Sequence, residues 1–238
     1  VSERKKAEQK QKELIDNLER SNDELRQFAY VASHDLKAPL RAISMLAQWV
    51  MEESAEVLNN ASRSNLDMLV ERAQRMYSFL DGMLAYSRIG INQELLQEVD
   101  LNKVVNSVVL SLNVPAGVKV KTHELPTVTA AEVHMIQVFQ NLISNAIKYL
   151  DKDNGKVEVG VTTSDCGTCF YVQDNGPGID KAFFDKIFII FQTLKERDKS
   201  ESTGIGLTIV KKILEGYGGR IWLESEVGKG SCFYFTLN

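Results

Sequence analysis

His34 is followed directly by Asp35 in the run SHDLKAPL. An imidazole is a good nucleophile when one ring nitrogen is free and the other is held by a base; a neighbouring carboxylate can fix the tautomer and steady the positive charge that develops. Alone, such a histidine is more often an ordinary surface or core residue. Three more clusters lie in the second half of the chain. In NLISNAIKY, Asn141, Asn145 and Lys148 are spaced by four and three and share one helical face. Asparagine is a poor helix former, so two of them in mid-helix need a reason. Carboxamide oxygens suit Mg²⁺ and a lysine suits phosphate oxygens, whereas a solvated face would account for Lys148 alone. In DNGPGID, Asp174 ends an apolar run, and Gly176 and Gly178 let the backbone approach a ligand. The Asp174 carboxylate can accept a hydrogen bond from an adenine amino group; the same string also reads as a common hairpin turn. In STGIGLTIVKK, Thr203, Gly204 and Gly206 precede a helix. Free N–H groups and the dipole at its start form an anion site, and the missing GK[ST] excludes a Walker loop.

These residues need elements to hold them. Residues 3–53 read as one long helix, with Leu14, Leu18, Ser21, Leu25, Phe28 and Ala32 at alternating spacings of four and three. That seam predicts coiled-coil-like pairing and a dimer; a single amphipathic helix packed on its own domain is the alternative. Pro39 falls inside this helix, removes a backbone donor and is expected to bend it just past His34. EESAEVLNN is a polar turn, and a second amphipathic helix follows over about 61–86. Two such hairpins make a four-helix bundle. The character changes near Gly90. INQELLQEVDL reads as a linker entering a short strand near Glu98. Helices are expected in DLNKVVNSVVLSL, AAEVHMIQVFQNLISNAIKYL and GIGLTIVKKILEGYGG. Strands are expected in GVKVKTHE, GKVEVGVTT, TCFYVQDNG and the final hairpin RIWLESEVGKGSCFYFTL, with SDCG as a turn. This order suggests a two-layer α/β sandwich.

The bulk properties narrow the class. The 238 residues are 44% hydrophobic and 25% charged, with a net charge of -4. No basic field speaks for nucleic acid. The 3 cysteines argue against a disulfide framework and for a reducing, cytoplasmic setting. No apolar stretch approaches the roughly 20 residues of a membrane span, and no signal peptide opens the chain. It begins in mid-pattern, as a helix cut from something longer, so an upstream module is expected.

The order of the motifs carries a resemblance. An Asn-rich helix, then DNGPG, then GIGL, then a strand hairpin resembles the Bergerat ATP-binding fold over about residues 98–238. Sensor histidine kinases, gyrase, heat-shock chaperones and mismatch-repair proteins share that fold. In it, the segment between DNGPG and GIGL is a mobile lid with a phenylalanine box, here Phe188 and Phe191. ATP-hydrolysing members carry a glutamate where this chain has Asn141, and an amide cannot serve as a base on water. SHDLKAPL resembles the phosphoacceptor box of histidine kinases, and the hairpin around it their dimerisation and phosphotransfer domain. Details such as FAYVASHDL and IFIIFQTL are most similar to phytochrome-like and other soluble-sensor kinases.

The resemblance implies a coiled-coil signalling helix over 1–22, a dimerisation and histidine phosphotransfer domain over 23–90, a linker over 91–97 and a catalytic ATP-binding domain over 98–238. It implies a homodimeric protein histidine kinase using ATP and Mg²⁺. His34 takes the γ-phosphoryl group, supported by Asp35, and passes it to an aspartate on a separate response regulator. Asn145 binds the metal; Asn141 and Lys148 hold phosphates or metal-bound water. Asp174 reads the adenine with Tyr149 nearby. Gly176, Gly178, Ile179, Phe191, Thr203, Gly204, Ile205, Gly206 and Leu207 complete the nucleotide-binding set. A bend at Pro39 would let the nucleotide domain reach His34. Kinases that dephosphorylate their regulator usually carry Thr or Asn four residues after the histidine; Ala38 stands there, so weak or absent phosphatase activity is expected. Ser202 replaces a common glycine, and Lys195 or Arg197 would supply a lid charge otherwise found near Thr193. The rival classes are an ATP-hydrolysing clamp, disfavoured by Asn141, and a degenerate scaffold, disfavoured by the full motif set. Cys166 and Cys169 form a CxxC that lacks further zinc ligands, and His123 and His134 read as packing or surface residues.

Overall fold

The computed structural model describes residues 2–89, 95–152, 154–164, 167–192 and 203–237. The chain divides into two compact units, Val1–Arg88 and Ile89–Asn238.

The first unit is a helical hairpin of α1 (Ser2–Glu53) and α2 (Asn60–Arg88). The polar turn is shorter than expected: the EE of EESAEVLNN finishes α1, and the Asn59 side chain caps α2 by accepting from Ser62 N at 2.8 Å. α1 runs through Pro39 without interruption. Ser33, Leu40 and Ala47, seven residues apart, are buried, and Leu40 packs with Ala73 and Leu80 of α2. Lys37 is ion-paired to Asp81 across the hairpin and lies over the Tyr77 ring, while Arg41 Nη2 donates to Tyr77 Oη at 3.2 Å. A second apolar stripe stays uncovered: Leu36, Ile43 and Val50 on α1, and Leu69 and Met76 on α2, are exposed. Of the expected coiled-coil seam, Leu14 and Ser21 are exposed and Ala32 half-buried; the Leu18, Leu25 and Phe28 side chains lie outside the described residues.

The second unit holds a five-stranded sheet in the order β2-β4-β5-β7-β6, from β2 (Lys119–Thr122), β4 (Lys156–Ser164), β5 (Gly167–Asp174), β6 (Ile221–Glu226) and β7 (Gly230–Phe235). β2 runs parallel to β4 and the other pairs are antiparallel. The helices α3 (Leu101–Ser111), α4 (Glu132–Lys148) and α5 (Gly206–Gly216) supply the second layer. Alternation along the strands turns Val157, Val159, Phe170, Val172, Phe233 and Phe235 inward. They meet Met135, Phe139 and Leu142 of α4 in a continuous core, where the Phe235 ring stacks on Phe170 at 5.1 Å and meets Phe139 edge-on at 5.7 Å. α3 begins where Asp100 accepts from Asn102 N at 3.0 Å; the Asn102 amide then exchanges hydrogen bonds with the Leu125 backbone, at 2.7 and 3.0 Å.

The strand expected near Glu98 is β1 (Gln97–Asp100). Its antiparallel partner, β3 (Thr127–Ala130), was not expected, and together they form a separate two-stranded sheet. The linker residues 91–94 and residues 165 and 166 of the SDCG turn lie outside the described residues.

Candidate active site

On α1, His34 and Asp35 are both open to solvent, their side chains 75% and 72% exposed. His34 Nδ1 lies 3.2 Å from Asp35 Oδ1. An ionised carboxylate can only accept, so the contact suits the tautomer in which Nδ1 carries the proton and donates, and in the neutral ring this leaves the lone pair on Nε2. Ala38 is exposed one turn further on and offers no hydrogen-bonding group. Ser33, 1% exposed, turns its hydroxyl into the hairpin without a partner among the described residues.

The remaining candidates gather in the second unit, at the ends of α4, β5 and α5. Asn141 and Asn145 are half-buried on one stripe of α4, and Lys148 is exposed at its end. Asn141 Nδ2 donates back to Gln137 O at 2.7 Å, which leaves Oδ1 facing the start of α5: a Cβ on Gly206 would stand 2.5 Å from it. A side chain at Gly206 would therefore displace the Asn141 carboxamide where the Asn helix and the GIGL segment meet. Tyr149 caps α4, and its carbonyl would stand 3.3 Å from a Cβ on Gly176. The Asn helix, the DNGPG turn and the GIGL segment are thus brought to one place.

Asp174, at the last position of β5, accepts from Gly176 N at 2.8 Å and from the backbone N–H of Ser231. Burial pushes its carboxyl above the usual carboxylate value, against the pull of those two N–H groups and of Lys152. A half-buried acceptor supplied with two donors is suited to a ligand N–H. Gly178 has φ 72° and packs against the Glu226 carbonyl, where no Cβ fits. Ile179 N donates to Ser225 Oγ at 2.8 Å. Lys152 Nζ donates to Asn175 O at 2.7 Å and Gly228 O at 3.2 Å.

Two short 3₁₀ turns, Lys181–Phe183 and Lys186–Phe188, lead to Phe191. Phe191 has φ 67°, and its N–H donates to Gly204 O at 2.9 Å, while Gly204 has φ 69°. Thr203 is half-buried just before it. α5 starts after Ile205, whose side chain makes no capping bond. The N–H groups of Gly206, Leu207 and Thr208 therefore have no helical acceptor, which is the anion-binding arrangement expected of GIGL. Thr193, Lys195, Arg197 and Ser202 lie outside the described residues, as does Cys166 of the CxxC. Cys169 and Cys232 are buried thiols, and burial pushes that of Cys232 up to about 11. His123 pairs with Glu158 at 3.3 Å, and His134 Nδ1 lies 2.9 Å from Tyr217 Oη.

The sequence had not singled out the β6–β7 hairpin as part of the site. Ser225, Gly230 and Ser231 all support the DNGPG turn, and only the two hairpin glycines signalled anything unusual there.

Residues 24–91 match the model of the His Kinase A (phospho-acceptor) domain, and residues 130–238 match that of the Histidine kinase-, DNA gyrase B-, and HSP90-like ATPase. The chain is 43% identical over 226 residues to cyanobacterial phytochrome B of Nostoc sp., covering 92% of this chain and 30% of the relative. It is 39% identical over 228 residues to phytochrome-like protein Cph1 of Synechocystis sp., covering 94% of this chain and again 30% of the relative. It therefore spans under a third of the length of these relatives. The structure of full-length ShkA in complex with AMPPNP matches with a TM-score of 0.64 at 25% identity, over 88% of this chain and 45% of that one. The match to a phospho-acceptor domain followed by the match to an ATPase domain, together with these relatives, places the chain among the sensor histidine kinases, of which it forms the catalytic core.

Proposed function

We propose that this chain binds ATP in its α/β unit, transfers the γ-phosphoryl group to His34 and passes it to an aspartate of a response regulator receiver domain. The observation that carries this reading is the state of His34: Nδ1 is engaged by Asp35 and Nε2 is open on an exposed side chain. The Nε2 lone pair forms the P–N bond as the bond from the γ-phosphorus to its bridging oxygen breaks, and ADP leaves with that electron pair. Nδ1 keeps its proton, and Asp35 stabilises the positive ring. In the second step a carboxylate oxygen of the receiver attacks phosphorus and the imidazole leaves neutral. Asn141 offers no base for water, which favours transfer over hydrolysis.

The donor set fits nucleotide-borne Mg²⁺. Among the described residues no three acidic, histidine or cysteine side chains cluster to hold an ion, so the phosphates would supply most ligands and Asn145 a carboxamide oxygen. The ion would spread the charge developing on the phosphoryl oxygens. Asn141, Lys148 and the N–H groups at Gly206 and Leu207 hold the phosphates. Asp174 accepts from the adenine amino group beside Tyr149, with Gly176, Gly178, Ile179, Phe191, Thr203, Gly204 and Ile205 shaping the pocket. The AMPPNP complex of the ShkA relative supports a nucleotide in this fold.

The uncovered stripe of Leu36, Ile43, Val50, Leu69 and Met76 supports a homodimer built as a four-helix bundle. The working division is a coiled-coil signalling helix over 1–22, the phosphotransfer domain over 23–90, a linker over 91–97 and the ATP-binding domain over 98–238. A sensor module upstream and a cytoplasmic setting complete the proposal. No helix among the described residues is long and apolar enough to cross a membrane.

Incubation with γ-labelled ATP and Mg²⁺ tests the reading. Acid-labile, alkali-stable label on the protein, lost in His34→Gln, is expected. Free phosphate without labelled protein would instead indicate an ATPase, and neither product a scaffold. Ala38 leaves no group to orient water on a phosphorylated regulator, so phosphatase activity is expected to be weak and to rise in Ala38→Thr, read as loss of label from a phosphorylated receiver.

A further inference from the structure

The turn bearing Asp174, Gly176, Gly178 and Ile179 is held by one hydroxyl on the neighbouring hairpin. Ser225 Oγ accepts from Ile179 N at 2.8 Å, donates to Gly230 O at 2.8 Å and lies 3.0 Å from Ser231 Oγ. A serine hydroxyl has one proton and two lone pairs. With its proton on the Gly230 carbonyl, Ser225 accepts from Ser231, and its whole hydrogen-bonding capacity is used. The Gly230–Ser231 peptide is thereby fixed at its carbonyl end. Its other end, the Ser231 N–H, is a donor to the Asp174 carboxylate. Gly230 has φ 122° and packs so closely on the Asp174 carbonyl that a side chain there would collide. One hydroxyl therefore secures both ends of the turn: Ile179 directly, and Asp174 through a single peptide plane. Bonds in series also polarise one another, so the donor on the Gly230 carbonyl strengthens the Ser231 N–H toward Asp174.

We propose that Ser225 is a specificity-determining positioning residue for the nucleotide base. By setting where the Asp174 carboxylate stands, it sets the preference for a purine that presents an amino group there over one that presents a carbonyl. Adenine offers a donor to the carboxylate; guanine would set an oxygen against an oxygen. The inference rests on the adenine-reading role proposed for Asp174.

The test is the dissociation constant of the full chain for ATP and for GTP, both with Mg²⁺, in wild type, Ser225→Ala and Ser225→Thr. The wild type is expected to prefer ATP. Ser225→Ala should weaken ATP by about tenfold while leaving GTP nearly unchanged, so the ratio falls by the same factor. Ser225→Thr, which keeps the hydroxyl, should restore the ratio. A folded Ser225→Ala with the wild-type ratio overturns the proposal. So does a parallel loss of both nucleotides with a lowered Tm, which is what a merely structural serine would give. Where Ser225→Ala does not fold, Ser225→Cys is measured in its place, with the same fall in the ratio expected and an unchanged ratio overturning the proposal. A wild type that binds ATP and GTP alike sinks the role of Asp174, and the inference with it, before any variant is measured.

Discussion

In the α/β unit Leu101, Val105, Met135, Phe139 and Phe235 have no exposed surface at all, whereas in the hairpin Ala47 and Ala73 still keep 5% and Leu36, Ile43 and Val50 stand close to half exposed. The α/β unit closes its core by itself. The hairpin has buried one apolar stripe per helix and left the neighbouring one open. The difference follows from architecture: a sheet with helices on one face encloses side chains between layers, while two helices alone touch along a single seam. The nucleotide site is thus built on a self-sufficient body, and the phosphoacceptor on an element that is complete only in company.

Phe139→Ala should break the self-sufficient unit most severely. It empties the contact with Phe235 and should cost about 3–5 kcal/mol, measured by urea unfolding, with a midpoint independent of protein concentration. Ile43→Lys should act on the other side of the comparison. It places a charge on the open stripe, so the dimer should dissociate in sedimentation and His34 labelling should be lost, while nucleotide affinity stays at the wild-type value. Should labelling and dimerisation both survive, the open stripe is not the interface.

Asp174→Asn sharpens the contrast within the α/β unit. The Asp174 carboxyl titrates above its unfolded value because burial disfavours its charge. Its protonated form is therefore the one that folding favours; that contribution is full below the usual aspartate range and is lost as pH rises through the raised value. At neutral pH the neutral amide should leave stability unchanged or higher, while ATP affinity falls about tenfold, read by calorimetry beside thermal unfolding. For the wild type, ATP affinity should fall on mild acidification, before an ordinary aspartate would titrate. A last effect is expected from Gly204→Ala. With φ 69° and a Cβ that would stand 2.7 Å from the Gln192 backbone oxygen, it should cost more than the roughly 1–2 kcal/mol of the left-handed conformation alone, read by thermal unfolding, and leave the dimer intact.

The same division governs what the sequence makes legible. The long helices and alternating strands follow from periodicity, and α4 with its polar stripe is visible as one face of a helix. β3 is not, because Thr127–Ala130 is four residues long, carries a single large apolar side chain and runs straight into α4. Its partner β1 is 27 residues earlier by register, Asp100 facing Thr127, a pairing that no local pattern encodes. In the hairpin, the seam written in the first thirty residues differs from the one that closes at Ser33, Leu40 and Ala47, since helical spacing cannot say which stripe meets which helix. At the site, Asp174 and the glycines announce themselves by type, but Ser225 does not. A serine in a β-hairpin carries meaning only once Ile179 and Gly230 are folded against it.

The uninterrupted passage of α1 through Pro39 has a consequence for hydration. A proline brings no N–H, so the carbonyl of Asp35, four residues back, lacks its usual helical donor. That carbonyl belongs to the residue that holds His34, on a surface where both side chains are open to solvent. That carbonyl is therefore left to hydrogen-bond with water, at the place where the proposed transfer would bring and remove a phosphoryl group. In the proposed transfer, the surface that delivers or collects the group would also have to displace that water from beside His34.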